Sequence, residues 1–259
     1  MRIGICLGLE GLEKISGAGF DYLETAINVL AGMDREKFAE AKRLLRDSPI
    51  KVEAGNCFFP WDLKIVGSEA EPAKIQDYIK KTMERLGELS ARIAVIGSGG
   101  PRRIPDGWDL SKGRAQFTEA LRWIGDEAAL YGITAALEPL QQAETNLINT
   151  IREGAALVEK VNHPQVKLLA DFFHMRKEDE PMENIKDGGK LLVHCHISNS
   201  HGRTPPRDMG EDEYLSFFKE LKSVGYHGRV SVEAPFQNLE EDGPLACTVL
   251  QKLAATVGL

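Results

Sequence analysis

The chain has 259 residues, 42% hydrophobic, 27% charged and 7% aromatic, with 25 Gly and 12 Pro. This composition excludes a disordered, collagen-like or coiled-coil chain, and the length suffices for one large core without disulfide staples. Lys+Arg 32 against Asp+Glu 39 gives a net charge of −7, which argues against a protein that grips a nucleic-acid backbone through a basic face.

No run approaches the ~18 consecutive apolar residues of a membrane span. The opening Met1–Gly8 lacks the apolar length and cleavage site of a signal peptide and reads as a strand that starts the fold. Seven further apolar, β-branched runs follow the first, Arg2–Leu7: Tyr22–Ala26, Lys51–Ala54, Ile93–Gly97, Ile133–Glu138, Val166–Asp171, Leu191–Ile197 and Arg229–Ala234. Segments of helical period separate them. Ile75–Leu89 turns Ile79, Met83, Leu86 and Leu89 to one face, and Gln116–Tyr131 does the same with Phe117, Leu121, Ile124 and Ala128. A Gly after several of these segments, as in Tyr131-Gly132-Ile133, supplies the left-handed residue that stops a helix.

Eight strand–helix units in about 250 residues predict one closed (β/α)8 TIM barrel over residues 1–259. An open, doubly wound sheet would want a G-x-G-x-x-G at the first turn, and Gly8-Leu9-Glu10-Gly11-Leu12-Glu13 is not one. Long segments rich in Gly, Pro and charge follow strands: Phe58–Pro72, Gly97–Lys112, Met175–Pro181 and Ser198–Gly210. In a barrel these form the active-site rim. The cysteines, Cys6, Cys57, Cys195 and Cys247, are far apart with no CxxC pair, and the first three fall in apolar runs. Buried free thiols and a reducing cytoplasm are expected.

Four polar residues interrupt the apolar strands at their C-terminal ends: Glu138, Asp171, His196 and Glu233. They are separated by 33, 25 and 37 residues, each close to one βα unit. Four consecutive strands would thus raise one ligand-type side chain each to the same height. Three carboxylates and an imidazole cannot share a desolvated space without a compensating cation. One divalent ion is expected, with Mn²⁺ ahead of Mg²⁺ and Co²⁺ for a three-oxygen, one-nitrogen set, and Zn²⁺ behind them. Each residue alone would read as an ordinary polar strand end; the shared register points to a metal site.

From Glu138 to Glu233 the sequence resembles the xylose isomerase-like TIM-barrel enzymes, in particular the sugar (phosphate) isomerases and epimerases that include ketose 3-epimerases. The stretch Leu137-Glu138-Pro139-Leu140-Gln141-Gln142-Ala143-Glu144 looks like that family's first metal-ligand segment. Asp171-Phe172-Phe173-His174 looks like its Asp-x-x-His motif, His194-Cys195-His196 with Arg203 like its His-x-His and Arg segment, and Val232-Glu233-Ala234-Pro235-Phe236 like its closing Glu. The resemblance implies that Glu138, Asp171, His196 and Glu233 hold the metal and that Glu138 and Glu233 double as acid and base. It also implies that His174, Glu144 and Arg203 contact substrate oxygens, and that the chain forms a dimer or tetramer. Two departures, Arg203 one residue late and Ala234 between Glu233 and Pro235, bear on substrate specificity.

The expected activity is isomerisation or epimerisation of a sugar or keto-sugar through an enediolate, with no nucleic-acid or membrane partner. A metal-dependent lyase acting on 3-keto-glycosides would share the first step. A DNA endonuclease of the same barrel would need further His ligands on the third and fourth strands, which instead lead into Gly55-Asn56-Cys57 and Gly97-Ser98-Gly99. A non-catalytic sugar-binding relative would be expected to lack a ligand. His194 is expected one layer below His196 as a hydrogen-bonded support. His163 and His227 precede strands and read as structural, and His201 is a loop residue open to either role. Glu24 and Glu53 are further candidate mouth carboxylates without an assigned role. The Gly97–Arg103 loop divides evenly between substrate rim and plain turn. Phe58, Phe59, Trp61 and Trp108 are rim aromatics suited to stacking on a sugar or to a subunit contact.

Overall fold

Each apolar run becomes a strand in the computed structural model, which describes residues 1–259. The strands β1 (Arg2–Cys6), β2 (Tyr22–Ala26), β3 (Val52–Asn56), β4 (Ile93–Ile96), β5 (Thr134–Leu137), β6 (Val166–Asp171), β7 (Leu192–Ile197) and β8 (Arg229–Val232) form one closed barrel in sequence order. Every neighbouring pair is parallel, and β8 closes onto β1 with Val230 beside Ile3. The connecting helices are α1 (Ile27–Gly32), α2 (Arg35–Asp47), α3 (Pro72–Glu88), α4 (Gly99–Arg102), α5 (Leu110–Tyr131), α6 (Ile151–Val161), α7 (Phe172–Lys177), α8 (Ile185–Gly188), α9 (Tyr214–Ser223) and α10 (Leu239–Val257). No helix is long and apolar enough to cross a membrane.

Helix α5 starts six residues before the sequence period does, because Asp109 caps it by accepting from the Lys112 N–H at 2.8 Å. Its Phe117, Leu121, Ile124 and Ala128 are buried, as the period requires. The apolar interior falls into two parts. A cluster of 62 residues fills the space between barrel and helices, while Tyr22, Ala54, Ile93, Val95, Ala136 and Leu169 plug the barrel itself. Side chains alternate along a strand, so the inward residues two positions beyond this plug are Glu24, Asn56, Gly97, Glu138 and Asp171. The plug is therefore a dry floor under a polar layer.

Glu53 does not reach that layer. It is the second residue of β3 and pairs at the strand-start end with Arg2 and Arg229, each at 2.6 Å. Expecting it at the mouth misplaced it by most of a strand; the mouth position of β3 belongs to Asn56. Phe58 and Phe59 are also not rim aromatics. Both are buried against each other and Tyr78, which leaves Trp61 as the aromatic that faces solvent there. All four cysteines are free as expected, but only Cys195 and Cys247 are buried.

The Gly97–Arg103 segment is more than a turn. It contains α4, whose Arg102 is fully buried and donates to the backbone carbonyls of Ile96 (2.9 Å) and Glu138 (2.6 Å), tying the ends of β4 and β5 together. Removing the guanidinium would orphan two buried carbonyls, and a Lys ammonium lacks the fork that serves both. Arg102→Ala is expected to cost about 3 kcal/mol and to lower the melting temperature by roughly 6–12 °C, with Arg102→Lys recovering less than half, as measured by thermal unfolding.

Candidate active site

Glu138, Asp171, His196 and Glu233 converge at the mouth, each offering a ligand atom within 4.8 Å of the others. Glu138 immediately follows β5, and its carboxylate lies over the end of β4, where a Cβ on Gly97 would stand 1.7 Å from Oε2. Any Cβ there would push the Glu138 carboxylate out of its place, which gives the first Gly of the loop a physical role. Asp171 ends β6 and caps α7. Its Oδ1 accepts from the N–H groups of Phe173 (2.6 Å) and His174 (3.4 Å), leaving Oδ2 for the cluster. His196 Nδ1 stands 3.0 Å from Glu138 Oε1 and 3.6 Å from Glu233 Oε2.

Glu24 supports this cluster from beneath and is fully buried. Its Oε1 receives His196 Nε2 at 2.9 Å; its Oε2 receives His194 Nε2 at 2.7 Å and the Ser231 hydroxyl at 2.6 Å. Since Ser231 gives its proton to Glu24, the Tyr22 hydroxyl must be the donor in the 2.8 Å Tyr22–Ser231 bond. His194 thus lies where the sequence put it, one layer below His196. The carboxylate holds a proton on His196 Nε2 and turns Nδ1 to the cluster. The β2–β3 register shifts between Leu23 and Glu24, and such an irregularity can re-aim a side chain.

Crowding separates the titrations. Burial, then the Glu233 charge, pushes Asp171 up to about 6, and burial raises Glu138 although His196 pulls it down. Burial would raise Glu233 as well, but His196 and Arg203 outweigh it and hold that carboxyl well below the usual range. Burial would likewise lower His196, yet Glu24 first and Glu233 next hold it well above an ordinary imidazole. In this protonation pattern His196 donates from both nitrogens, to Glu24 and to Glu138.

The three residues expected to meet substrate surround the cluster. Arg203 Nη2 lies 2.7 Å from Glu233 Oε2 and Nη1 lies 3.2 Å from Glu144 Oε1, with the guanidinium 4.7 Å from the centre of the Phe173 ring. His174 Nδ1 accepts the Gln141 N–H at 3.2 Å, so Nε2 carries the proton; that nitrogen is buried without a partner, 3.6 Å from Asp171 Oδ2. Burial lowers His174, which keeps it neutral and a donor toward the site. Sequence reasoning overlooked Asn56, whose Nδ2 lies 3.3 Å from Glu233 Oε1, and Gln141, whose Nε2 holds Glu144 Oε1 at 2.9 Å. Strand alternation in β3 was the available signal for Asn56; the Gln141 contact depends on loop conformation.

Four buried or half-buried donors, three of them carboxylates, fit a divalent cation in number and in chemistry. An unpartnered His174 Nε2–H and the Arg203 fork add donors aimed at a neutral or anionic oxygen. The arrangement can bind a hydroxylated carbonyl compound and move a proton to or from it.

Comparison with known proteins gives the same assignment. The model of the family described as xylose isomerase-like TIM barrel matches residues 12–252. A ketose 3-epimerase of Arthrobacter globiformis is 30% identical over 254 residues, covering 90% of this chain and 83% of that protein. The crystal structure of a D-psicose 3-epimerase in the presence of D-fructose aligns with a TM-score of 0.84 and 21% identity over the whole of both chains. That of a 3-keto-D-glucoside 4-epimerase from E. coli, apo form, aligns at 0.81 and 23% identity, covering 98% of this chain and 99% of that one. Fold, strand-end residues and family match together place this chain in the xylose isomerase-like TIM-barrel family.

Proposed function

We propose that this chain is a divalent-metal-dependent isomerase or epimerase of a sugar or keto-sugar. The carrying observation is the convergence of Glu138, Asp171, His196 and Glu233 within 4.8 Å above a dry barrel floor. The ketose 3-epimerase relative and the fold shared with the D-psicose enzyme support the reaction class. Glu138, Asp171, His196 and Glu233 would hold the ion, with Mn²⁺ the favoured metal. A divalent cation supplies Lewis-acid stabilisation of charge that develops on substrate oxygens.

The side chains do the rest. Glu138 and Glu233 stand on strands three apart around the barrel, and they are the acid/base pair that removes and returns a proton beside the carbonyl. Their positions on opposite sides of the cluster suit one to take a proton from one face of the substrate and the other to return it to the opposite face. His174 donates from Nε2 to a substrate oxygen, and Arg203 and Glu144 grip a neighbouring hydroxyl. Glu24, held in turn by His194 and Ser231, keeps the proton on His196 Nε2 so that Nδ1 is the nitrogen offered to an ion. A dimer or tetramer in the cytoplasm completes the proposal.

A second reading keeps the machinery and changes the substrate to a 3-keto-glycoside, favoured by the fold shared with the 3-keto-D-glucoside 4-epimerase. Proton removal there ends in epimerisation or, with a leaving group in place, in elimination. A DNA-cleaving role has no support: β3 and β4 bring Asn56 and Gly97 to the mouth where further His ligands would be needed, and the net charge is −7.

Hydrogen exchange in D₂O with Mn²⁺, followed by NMR over a panel of ketoses and keto-glycosides, tests this function. Glu138→Gln and Glu233→Gln are each expected to slow exchange about 100- to 10,000-fold; unchanged turnover in either would remove its acid/base role. Glu24→Gln presents an amide donor to histidine N–H groups that need an acceptor. It should weaken Mn²⁺ binding about 10- to 100-fold by calorimetry. Metal uptake needs ionised carboxylates, and Asp171 takes up a proton as pH falls through about 6. Mn²⁺ affinity should therefore drop as pH falls through that value, and binding at neutral pH should release protons in buffers of different ionisation enthalpy.

A further inference from the structure

A cleft of about 670 Å³ opens beside the metal-ligand cluster, between the loops that follow β3, β4 and β5. It begins at Glu144, the residue that links through Arg203 (3.2 Å) to Glu233 (2.7 Å). Gly99 and Gly100 are part of its lining. A Cβ on Gly99 would meet the Glu144 backbone oxygen at 2.8 Å, and one on Gly100 would meet the Trp61 ring at 2.5 Å. Both glycines thus let the Glu144 backbone and the Trp61 ring pack directly on the loop. Trp61 lies against Gly100 yet keeps 75% of its surface exposed, the largest exposure among the big hydrophobic side chains. No step of the proposed proton transfer uses this indole.

Resting on the function proposed above, we infer that this cleft receives the aglycone of a glycoside whose keto-sugar ring sits at the metal-ligand cluster. The substrate would then be a ring-bearing keto-glycoside rather than a free ketose. The charges along the cleft are mixed, Lys64 and Arg103 against Glu69, Asp106 and Glu144. That balance suits a neutral, hydroxylated or aromatic ring and not a phosphate. The indole packs on Gly100 and has the Lys64 ammonium 5.7 Å from its ring centre, and the surface it leaves exposed offers a platform on which such a ring stacks, with the carboxylates and cations at the edge supplying hydrogen bonds to its hydroxyls. The volume lies within the ~300–1,000 Å³ span of small-molecule pockets.

Manganese-loaded protein is compared on methyl and 4-nitrophenyl 3-keto-β-D-glucosides and on D-fructose by hydrogen exchange in D₂O, with Trp61→Ala and Trp61→Phe alongside the natural chain. The 4-nitrophenyl glycoside should exceed the methyl one in kcat/KM by about two- to tenfold, a stacking-sized effect. Trp61→Ala should erase that ratio while leaving the methyl glycoside within about twofold, and Trp61→Phe should keep most of it. Equal rates for the two glycosides, an equal loss on both in Trp61→Ala, or exchange of D-fructose alone would overturn the subsite while leaving the epimerase reading intact. Exchange of none of the three would count against that reading instead. Calorimetry with unoxidised 4-nitrophenyl β-D-glucoside then decides the subsite separately: binding weakened by Trp61→Ala upholds it, and binding that is absent or indifferent to the substitution overturns it.

Discussion

The site is governed by one imidazole placed between carboxylates that it alone cannot neutralise. His196 faces Glu138 and Glu233 on one side and Glu24 on the other, all in a layer largely withheld from water. Water screens little there, so each protonation state depends on its neighbours. The result is a graded set: Glu24 and Glu233 held ionised, Glu138 and Asp171 pushed toward their neutral forms, and His196 charged. A divalent cation placed among the four mouth residues would relieve this crowding and stabilise them all as ionised or neutral donors. Electrostatic frustration of that kind is tolerated where binding resolves it.

The barrel supplies the crowding through simple rules. Alternation along β5 to β8 turns the strand-end side chains inward, with Asp171 paired to His196, while Glu233 lies two residues beyond Ser231, the β8 partner of His196. The apolar plug closes the barrel below them. Support is then added at two depths. Arg102 clamps the carbonyls of Ile96 and Glu138 from outside the barrel, and Glu24 clamps two histidines from within. Gly97 contributes by having no side chain, since the Glu138 carboxylate occupies the space a Cβ would take.

Much of this was legible in the chain. Eight apolar runs predicted the strands to within a few residues, because each is a buried parallel strand with little else it can be. Polar residues at the ends of such runs stood out for the same reason, so Glu138, Asp171, His196 and Glu233 were readable and are in fact brought together. His194 followed from alternation. Glu24 was visible only as a candidate mouth carboxylate without a role, because its histidine partners lie 170 and 172 residues away and no local pattern names them. Glu53 went to the wrong end because β3 runs on to Asn56, two residues past the end of its apolar run. Phe58 and Phe59 were misjudged because burial within a rim loop is decided by Tyr78 on α3, not by neighbours in sequence. The cleft under Trp61 was out of reach, since three separate loops have to fold together to make it.

The direct test of this account is a crystal structure of the protein soaked with Mn²⁺, with anomalous data collected on both sides of the manganese absorption edge. A single strong peak is predicted at roughly 2.0–2.6 Å from one atom each of Glu138, Asp171, His196 and Glu233, with the imidazole bound through Nδ1. A peak elsewhere, or a soaked crystal in which those four side chains turn away from one another with no ion between them, would contradict it.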